Sequence, residues 1–172
     1  MDVNFQWVQE VGGWGTLTVD SQHTFNFEDV VALFDETEED LSGLAGHPEW
    51  VGNLKFTLER NEWSFFWGMN FIGSTDNTAN FGFPTVTDAQ GDQVNYDLKA
   101  ESVTYHSFSV NRSWDNGVNL RLGIANAFDE IPPQITSRGT GNEVDTLGKV
   151  AFYSQYDWIA RRYFVNFTMD FR

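Results

Sequence analysis

Apolar and polar residues alternate with a period of two along most of the chain, the pattern of strands that present one apolar face. Between Trp63 and Gly73, Trp63, Phe65, Trp67, Met69 and Phe71 form one face, opposite Ser64, Phe66, Gly68, Asn70 and Ile72. Just upstream, Trp50, Leu54, Phe56 and Leu58 alternate with Asn53, Lys55, Thr57 and Glu59. Only Arg60, Asn61 and Glu62 separate these two segments, which predicts a hairpin with a tight turn. Val118, Leu120, Leu122 and Ile124 alternate with Asn119, Arg121, Gly123 and Ala125. Near the C-terminus, Tyr163, Val165, Phe167, Met169 and Phe171 alternate with Phe164, Asn166, Thr168 and Asp170. Three weaker segments complete the set. Val3, Phe5 and Trp7 begin a strand that turns at Gly12-Gly13, and Leu17, Val19, Phe25 and Phe27 mark the next. Val103 and Tyr105 are out of phase with Phe108 and Val110, which predicts a bulge near Ser107.

The connections between these segments alternate short and long. Gly12-Gly13, Arg60 to Glu62 and Asp115-Asn116-Gly117 are short; the links at 28–49, 74–99 and 126–160 are long. All the long links therefore fall at one end of an antiparallel meander. Seven strands of roughly ten residues each are long enough to cross a bilayer at a tilt of about 45°. The pattern predicts an all-β fold, an antiparallel transmembrane β-barrel segment with long loops at one end. A soluble β-sandwich with an aromatic core is the alternative, with Trp side chains and carboxylates available for carbohydrate. In the barrel the apolar face meets lipid and aromatics gather near strand ends, where Trp50, Trp63, Trp114, Tyr105 and Tyr163 lie.

Composition narrows the function. Aromatics make up 16 % of the chain although its mean hydropathy is −0.39, as expected when strands are apolar on one face only. The formal net charge of −15 leaves no Lys/Arg excess for phosphate backbones, so no nucleic-acid partner is expected. There is no cysteine, which removes thiolate chemistry and disulfide frameworks. Met1-Asp2-Val3-Asn4-Phe5-Gln6 has neither the basic nor the apolar region of a signal peptide.

Three stretches, taken in order, resemble TonB-dependent outer-membrane receptors. Leu122-Gly123-Ile124-Ala125-Asn126-Ala127-Phe128-Asp129-Glu130-Ile131-Pro132-Pro133 is similar to the Gly-Val-x-Asn-Leu-Phe-Asp-x-x-Pro-Pro signature near the end of that barrel. Tyr156-Asp157-Trp158-Ile159-Ala160-Arg161-Arg162-Tyr163-Phe164 resembles the Tyr-Asp-x-x-Gly-Arg-x-Phe lead into the last strand, which ends on an aromatic matched by Phe171. His47-Pro48-Glu49-Trp50 resembles the Gly-x-Pro-x-Trp opening of an earlier hairpin. Ala127 stands where the family usually has Leu, Ala160 where it usually has Gly, and Arg172 follows the expected terminal aromatic. The resemblance implies that residues 1–172 correspond to the C-terminal part of the barrel, without signal peptide, TonB box or plug domain. It implies a location in the cell outer membrane and a transport role, the uptake of a scarce nutrient such as a siderophore, cobalamin or an oligosaccharide. Its implied partners are outer-membrane lipid, the plug and the remaining barrel, with TonB engaged only through the plug.

Within that frame Lys55, Thr57, Glu59, Asn70, Asn119, Arg121, Asn166 and Asp170 are expected to line the lumen. Glu28, Asp29, Asp35, Glu36, Glu38, Glu39, Asp40 and Glu49 put eight carboxylates in one long link without Lys or Arg. Their spacing does not fit an EF-hand loop, and a solvated, self-repelling loop is expected. His23, His47 and His106 lack the spacing of a metal site, and neither a nucleophile elbow nor a phosphate loop is present. No cofactor and no enzymatic activity are expected.

Overall fold

The computed structural model describes residues 1–32, 38–81, 85–138, 144–146 and 155–170. Phe171 and Arg172, and Asp35 and Glu36 of the acidic link, lie outside the described residues. Seven long strands follow the alternating segments: β1 (Asp2–Glu10), β2 (Thr16–Phe25), β3 (Trp50–Arg60), β4 (Trp63–Ile72), β5 (Val103–Ser113), β6 (Val118–Ala125) and β7 (Arg162–Met169). They form one sheet in chain order, every neighbouring pair antiparallel. The sheet is open. Among the described residues β1 and β7 each have one neighbour, and no ladder joins them. Four short two-stranded ribbons lie in the long links: 30–31 with 39–40, 75–76 with 99–100, 85–87 with 93–95, and 137–138 with 144–146. Among the described residues no helix is long and apolar enough to cross a membrane.

Each hairpin turn has its own cause. Asn61 opens the β3–β4 turn at φ 51°, a left-handed conformation that asparagine tolerates better than most residues. In the β5–β6 turn Gly117 takes φ 81°, and its N–H donates to the Trp114 carbonyl at 3.0 Å. The β1–β2 turn is wider than its glycine pair suggests, with a 3-10 turn at Gly12–Trp14. Gly15 is its demanding residue: φ is 112°, and a Cβ there would sit 2.0 Å from the Glu59 carbonyl oxygen.

Register sorts the side chains into two faces, because residues directly opposite one another share a face. One row crosses all seven strands as Trp7, Val19, Phe56, Trp67, Phe108, Ile124 and Tyr163. The next row towards the short turns reads Gln9, Leu17, Leu58, Phe65, Val110, Leu122 and Val165. The opposite face carries rows such as Glu10, Thr16, Glu59, Ser64, Asn111, Arg121 and Asn166. Phe66 and Phe164 are large aromatic residues on this second face. Their rings lie over Gly68 and Gly123, where a Cβ would come within 2.7 and 2.2 Å of the ring atoms. Glycine beneath a flat aromatic lets the ring lie along the wall instead of standing out from it.

The expected bulge is absent. β5 pairs with β4 without a shift from Val103 opposite Ile72 to Arg112 opposite Trp63. Val103 and Tyr105 are apolar members of the polar face, and the reason lies in the loops. With Ile72 and Tyr156 they form the buried core, packed against by Val51, at the long-link end of the sheet. Leu98, Ala100 and Ile135 are buried in the long links too. Tyr105 is thus a core residue, 5 % exposed, and not the interfacial aromatic its position near a strand end suggests.

Among the described residues the apolar face has no such cover. Phe5, Phe65, Leu122, Val165 and Phe167 are 44–67 % exposed. A sandwich requires a second sheet here, and among the described residues there is one extended sheet and the four ribbons.

Candidate functional site

Three surfaces converge on the sheet: the uncovered apolar face, the polar face and the cluster of long links. On the apolar face Phe56 and Trp67 stack across β3 and β4 at 5.1 Å, and Trp67 and Phe108 across β4 and β5 at 6.1 Å. A hollow of about 630 Å³, lined by Phe56, Leu58, Phe65, Trp67, Val110 and Leu122 among others, lies between the rings. Phe65, Trp67, Met69, Leu120, Leu122, Phe167 and Met169 all belong to this face. One mid-face indole N–H has a partner within the face: Trp67 Nε1 donates to His106 Nδ1 at 3.2 Å. His23 likewise accepts from Trp50 Nε1 at 3.1 Å. These two histidines satisfy indoles, and His47 meets the Asp29 carboxylate at 2.6 Å.

Aromatics mark both ends of the apolar face. Towards the long links Phe25 stacks on Trp50 at 5.7 Å, Trp50 meets Phe71 at 4.2 Å, and Phe128 packs edge-on against His106 at 5.0 Å. Towards the short turns stand Trp14, Trp63 and Trp114. Tyr163 lies instead in the central row, opposite Ile124, because β7 begins at Arg162, level with Ala125 at the end of β6. From Trp63 to Phe71 the strand advances roughly 27 Å, or about 20 Å in height at a tilt near 40°. An outer-membrane barrel carries an apolar band about 25 Å tall.

The residues expected in a lumen share the polar face. Lys55 lies opposite Asp20 and Gly68, Thr57 opposite Thr18 and Phe66, Glu59 opposite Thr16 and Ser64, and Asn70 opposite Asn53 and Tyr105. Asn119 lies opposite Ser113 and Thr168, and Arg121 opposite Asn111 and Asn166. Asp170 is past the end of β7, its N–H donating to the Gly117 carbonyl at 3.1 Å. Short polar contacts knit this face, including Gln6 Nε2 to Asp20 Oδ1 at 2.7 Å and Arg121 Nε to Ser109 Oγ at 3.2 Å. A polar hollow of about 380 Å³ opens between Ser64, Asn111, Asn119, Arg121, Asn166 and Thr168.

At the long-link end, residues far apart in the signature stretches meet. Asn126, 1 % exposed, takes φ 49° as it leaves β6. Its amide closes a ring with Glu130, donating to the Glu130 carbonyl at 2.8 Å and accepting the Glu130 N–H at 2.9 Å. Asp129, at φ 62°, accepts the Arg161 N–H at 2.9 Å and pairs with its guanidinium at 3.4 Å. The N–H and then the guanidinium hold the Asp129 carboxyl below its ordinary range. One residue on, Arg162 donates to Asp157 at 2.5 Å, and Tyr156 beside it is buried, which pushes its phenol up. Pro132 and Pro133 are half-buried between these contacts, and Phe128 is 62 % exposed on the apolar side. Asn126, Asp129, Tyr156, Asp157 and Arg161 thus close the ends of the longest link at the point where β6 leaves and β7 enters.

The three long links are also tied to one another, through a residue the sequence did not single out. Asn77, 3 % exposed, donates to the Thr136 carbonyl at 2.7 Å and accepts the Ala45 N–H at 2.9 Å. Beside it Asp76 pairs with Lys99 at 2.7 Å and accepts from the Thr78 hydroxyl and N–H, which lowers its pKa to about 2. No periodicity runs through these links, so nothing in the chain advertised Asn77 or Thr136. In the acidic link Asp40 accepts the Ser42 and Asp29 N–H groups, each at 3.0 Å, which lowers its carboxyl pKa. Among the described residues no group of three or more His, Asp or Glu side chains gathers as a metal site.

Comparison of the chain with protein-family models, with curated proteins and with solved structures finds no match.

Proposed function

We propose that this chain is a section of the wall of an outer-membrane β-barrel of the TonB-dependent receptor type. Such a wall serves uptake of a scarce nutrient of the siderophore, cobalamin or oligosaccharide kind. The observation that carries the reading is the row Trp7, Val19, Phe56, Trp67, Phe108, Ile124 and Tyr163, apolar across every strand and covered by no second layer among the described residues. A sheet with an apolar face in water is unstable unless another layer packs on it, and lipid supplies that layer here. The polar face then meets the lumen and the plug, and the long links cluster outside to meet the nutrient. Aromatics at both ends of the apolar face support the same orientation. So does the joining of Asn126, Asp129, Tyr156, Asp157 and Arg161, the residues that carry the family resemblance.

The edges set a further requirement. The outer sides of β1 and β7 offer unpaired N–H and C=O groups, which hydrocarbon cannot satisfy. These edges are the joints to the remaining strands of the barrel. Orientation is tested with single cysteines in cells that make the protein. Gln90→Cys, at the tip of the 85–95 ribbon, is expected to react with a membrane-impermeant maleimide from outside. Asn116→Cys, in the β5–β6 turn, is expected to react only once the outer membrane is permeabilised. The opposite order, or equal reaction at both, rules the reading out.

A further inference from the structure

Resting on the wall reading, we infer that the turn end of the apolar face binds the phosphodiester of a glycerophospholipid headgroup through Arg60 and Arg112. Five cationic side chains lie on the seven strands: Lys55, Arg60, Arg112, Arg121 and Arg162. Lys55, Arg121 and Arg162 share the polar face; only Arg60 and Arg112 share the apolar one. Both stand in a single row, on either side of Trp63. Two strand spacings put their Cα atoms roughly 10 Å apart, within reach of one phosphate between them. The opposite end of the same face has no Lys or Arg, and the links beyond it carry the acidic run from Glu28 to Glu49. The apolar face of a chain with a net charge of −15 therefore keeps its cations at one rim.

The local geometry suits a headgroup. Arg112 is sandwiched between Trp63 and Trp114, its guanidinium 5.0 and 4.8 Å from the two ring centres. Glu62 accepts from its Nε and one terminal nitrogen at 3.4 and 3.1 Å, which orients the fork and leaves its other terminal nitrogen available. Arg60 lies 6.0 Å over the Trp14 ring and has no carboxylate partner among the described residues. Arg60, Asn61, Trp63 and Phe65 line a hollow of about 540 Å³. Trp63 and Phe65 give it an apolar floor where acyl chains would enter, Arg60 is the cation of its lining, and Arg112, ion-paired with Glu62, stands on the other side of Trp63. A planar guanidinium matches two phosphate oxygens, and an indole is at home at the level of the headgroups.

The test uses the protein in dodecyl maltoside, with dioleoylphosphatidylglycerol as the probe and retained lipid counted by native mass spectrometry. Loss of both charges in R60Q/R112Q is expected to weaken retention roughly 30-fold, about 2 kcal/mol at 1.4 kcal/mol per tenfold. Arg60→Gln alone removes no ion pair and so preserves the fold; it is expected to account for a large part of that loss. Dioleoylglycerol, with the same acyl chains and no phosphate, is expected to bind as weakly to the native protein as phosphatidylglycerol binds to R60Q/R112Q. Equal retention of phosphatidylglycerol by the native protein and both variants overturns the inference, as does equal retention of the diacylglycerol. Displacement of the lipid by millimolar inorganic phosphate overturns it as well, by making this a free-phosphate site. The wall reading is checked separately with brominated acyl chains in vesicles. Quenching of Trp67 with unchanged retention by R60Q/R112Q defeats only the headgroup site, whereas absence of quenching defeats the wall.

Discussion

Arginine placed at successive depths along β6 turns the lipid-facing reading into a graded energy. Leu120, Leu122 and Ile124 share the apolar face, and Ile124 stands in the central row with Trp67 and Phe108. The aromatic rows at Trp63 and Phe71 bound the band, so its half-height is roughly 10 Å at a strand tilt near 40°. Each step of two residues along β6 moves roughly 7 Å along the strand and about 5 Å in depth. Arginine at the midplane of such a wall costs roughly 2–4 kcal/mol and close to nothing at the interface. Ile124→Arg is therefore expected to cost about 3 kcal/mol, Leu122→Arg about 2 and Leu120→Arg below about 1. Asn119→Arg, on the polar face between Ser113 and Thr168, forfeits the 3.1 Å contact to Ser113 and is expected to cost below about 1 kcal/mol. Urea titration of the protein folded in lipid vesicles, followed by tryptophan fluorescence, measures all four. Surface substitutions in water fall within about 0.5 kcal/mol of zero and show no depth gradient. Equal costs at 120, 122 and 124, or a cost at Asn119 equal to that at Ile124, would refute the reasoning.

Two further expectations follow from the long-link end. Ala160 holds φ 64°, where an L-residue pays about 1–2 kcal/mol. Ala160→Gly is expected to raise stability by up to about 1 kcal/mol, after glycine's greater freedom in the unfolded chain is subtracted; an unchanged urea midpoint would contradict this. The Asp76 carboxyl sits near pKa 2 against an ordinary 3.8, so its contribution is complete above about pH 4 and fades as pH falls through 2. Lys99 is the largest cause of that shift, and Lys99→Met is expected to move the Asp76 titration, read by carboxyl NMR, up towards 3.8; no movement would refute the assignment.

The strands were legible because alternation acts on every residue of a two-faced sheet. β4, β6 and β7 announce themselves as unbroken runs of large apolar side chains at every second position, and β3 does so from Leu54 to Leu58. The short links were legible as well, since Asn61 and Gly117 sit where a tight turn needs a left-handed residue. The alternation misleads at β5. Val103 and Tyr105 look like slipped members of the apolar face, yet they belong to the polar face and are buried by long-link residues such as Tyr156. A periodic pattern reports the phase of a strand; it says nothing of what covers one end of it. Gly15 was hidden for another reason: its constraint is the Glu59 carbonyl, forty-four residues away in sequence and 2.0 Å from its missing Cβ. Asn77 and Thr136 stand in aperiodic links, and only the fold brings them together. Asn126, Asp129, Tyr156, Asp157 and Arg161 were found through a family resemblance, and their contacts give a physical reason for the motif: two left-handed residues and an ion pair close a long link.

The claim that one face of this sheet meets lipid is tested most directly by a nitroxide scan of β6 in vesicles, read by collision with oxygen and with a water-soluble nickel chelate. Labels at Leu122 and Ile124 are expected to collide freely with oxygen and little with nickel, while labels at Arg121 and Ala125 show the reverse, a period of two in register with the apolar row. Equal access of nickel to both series, or an alternation of opposite phase, would contradict the account.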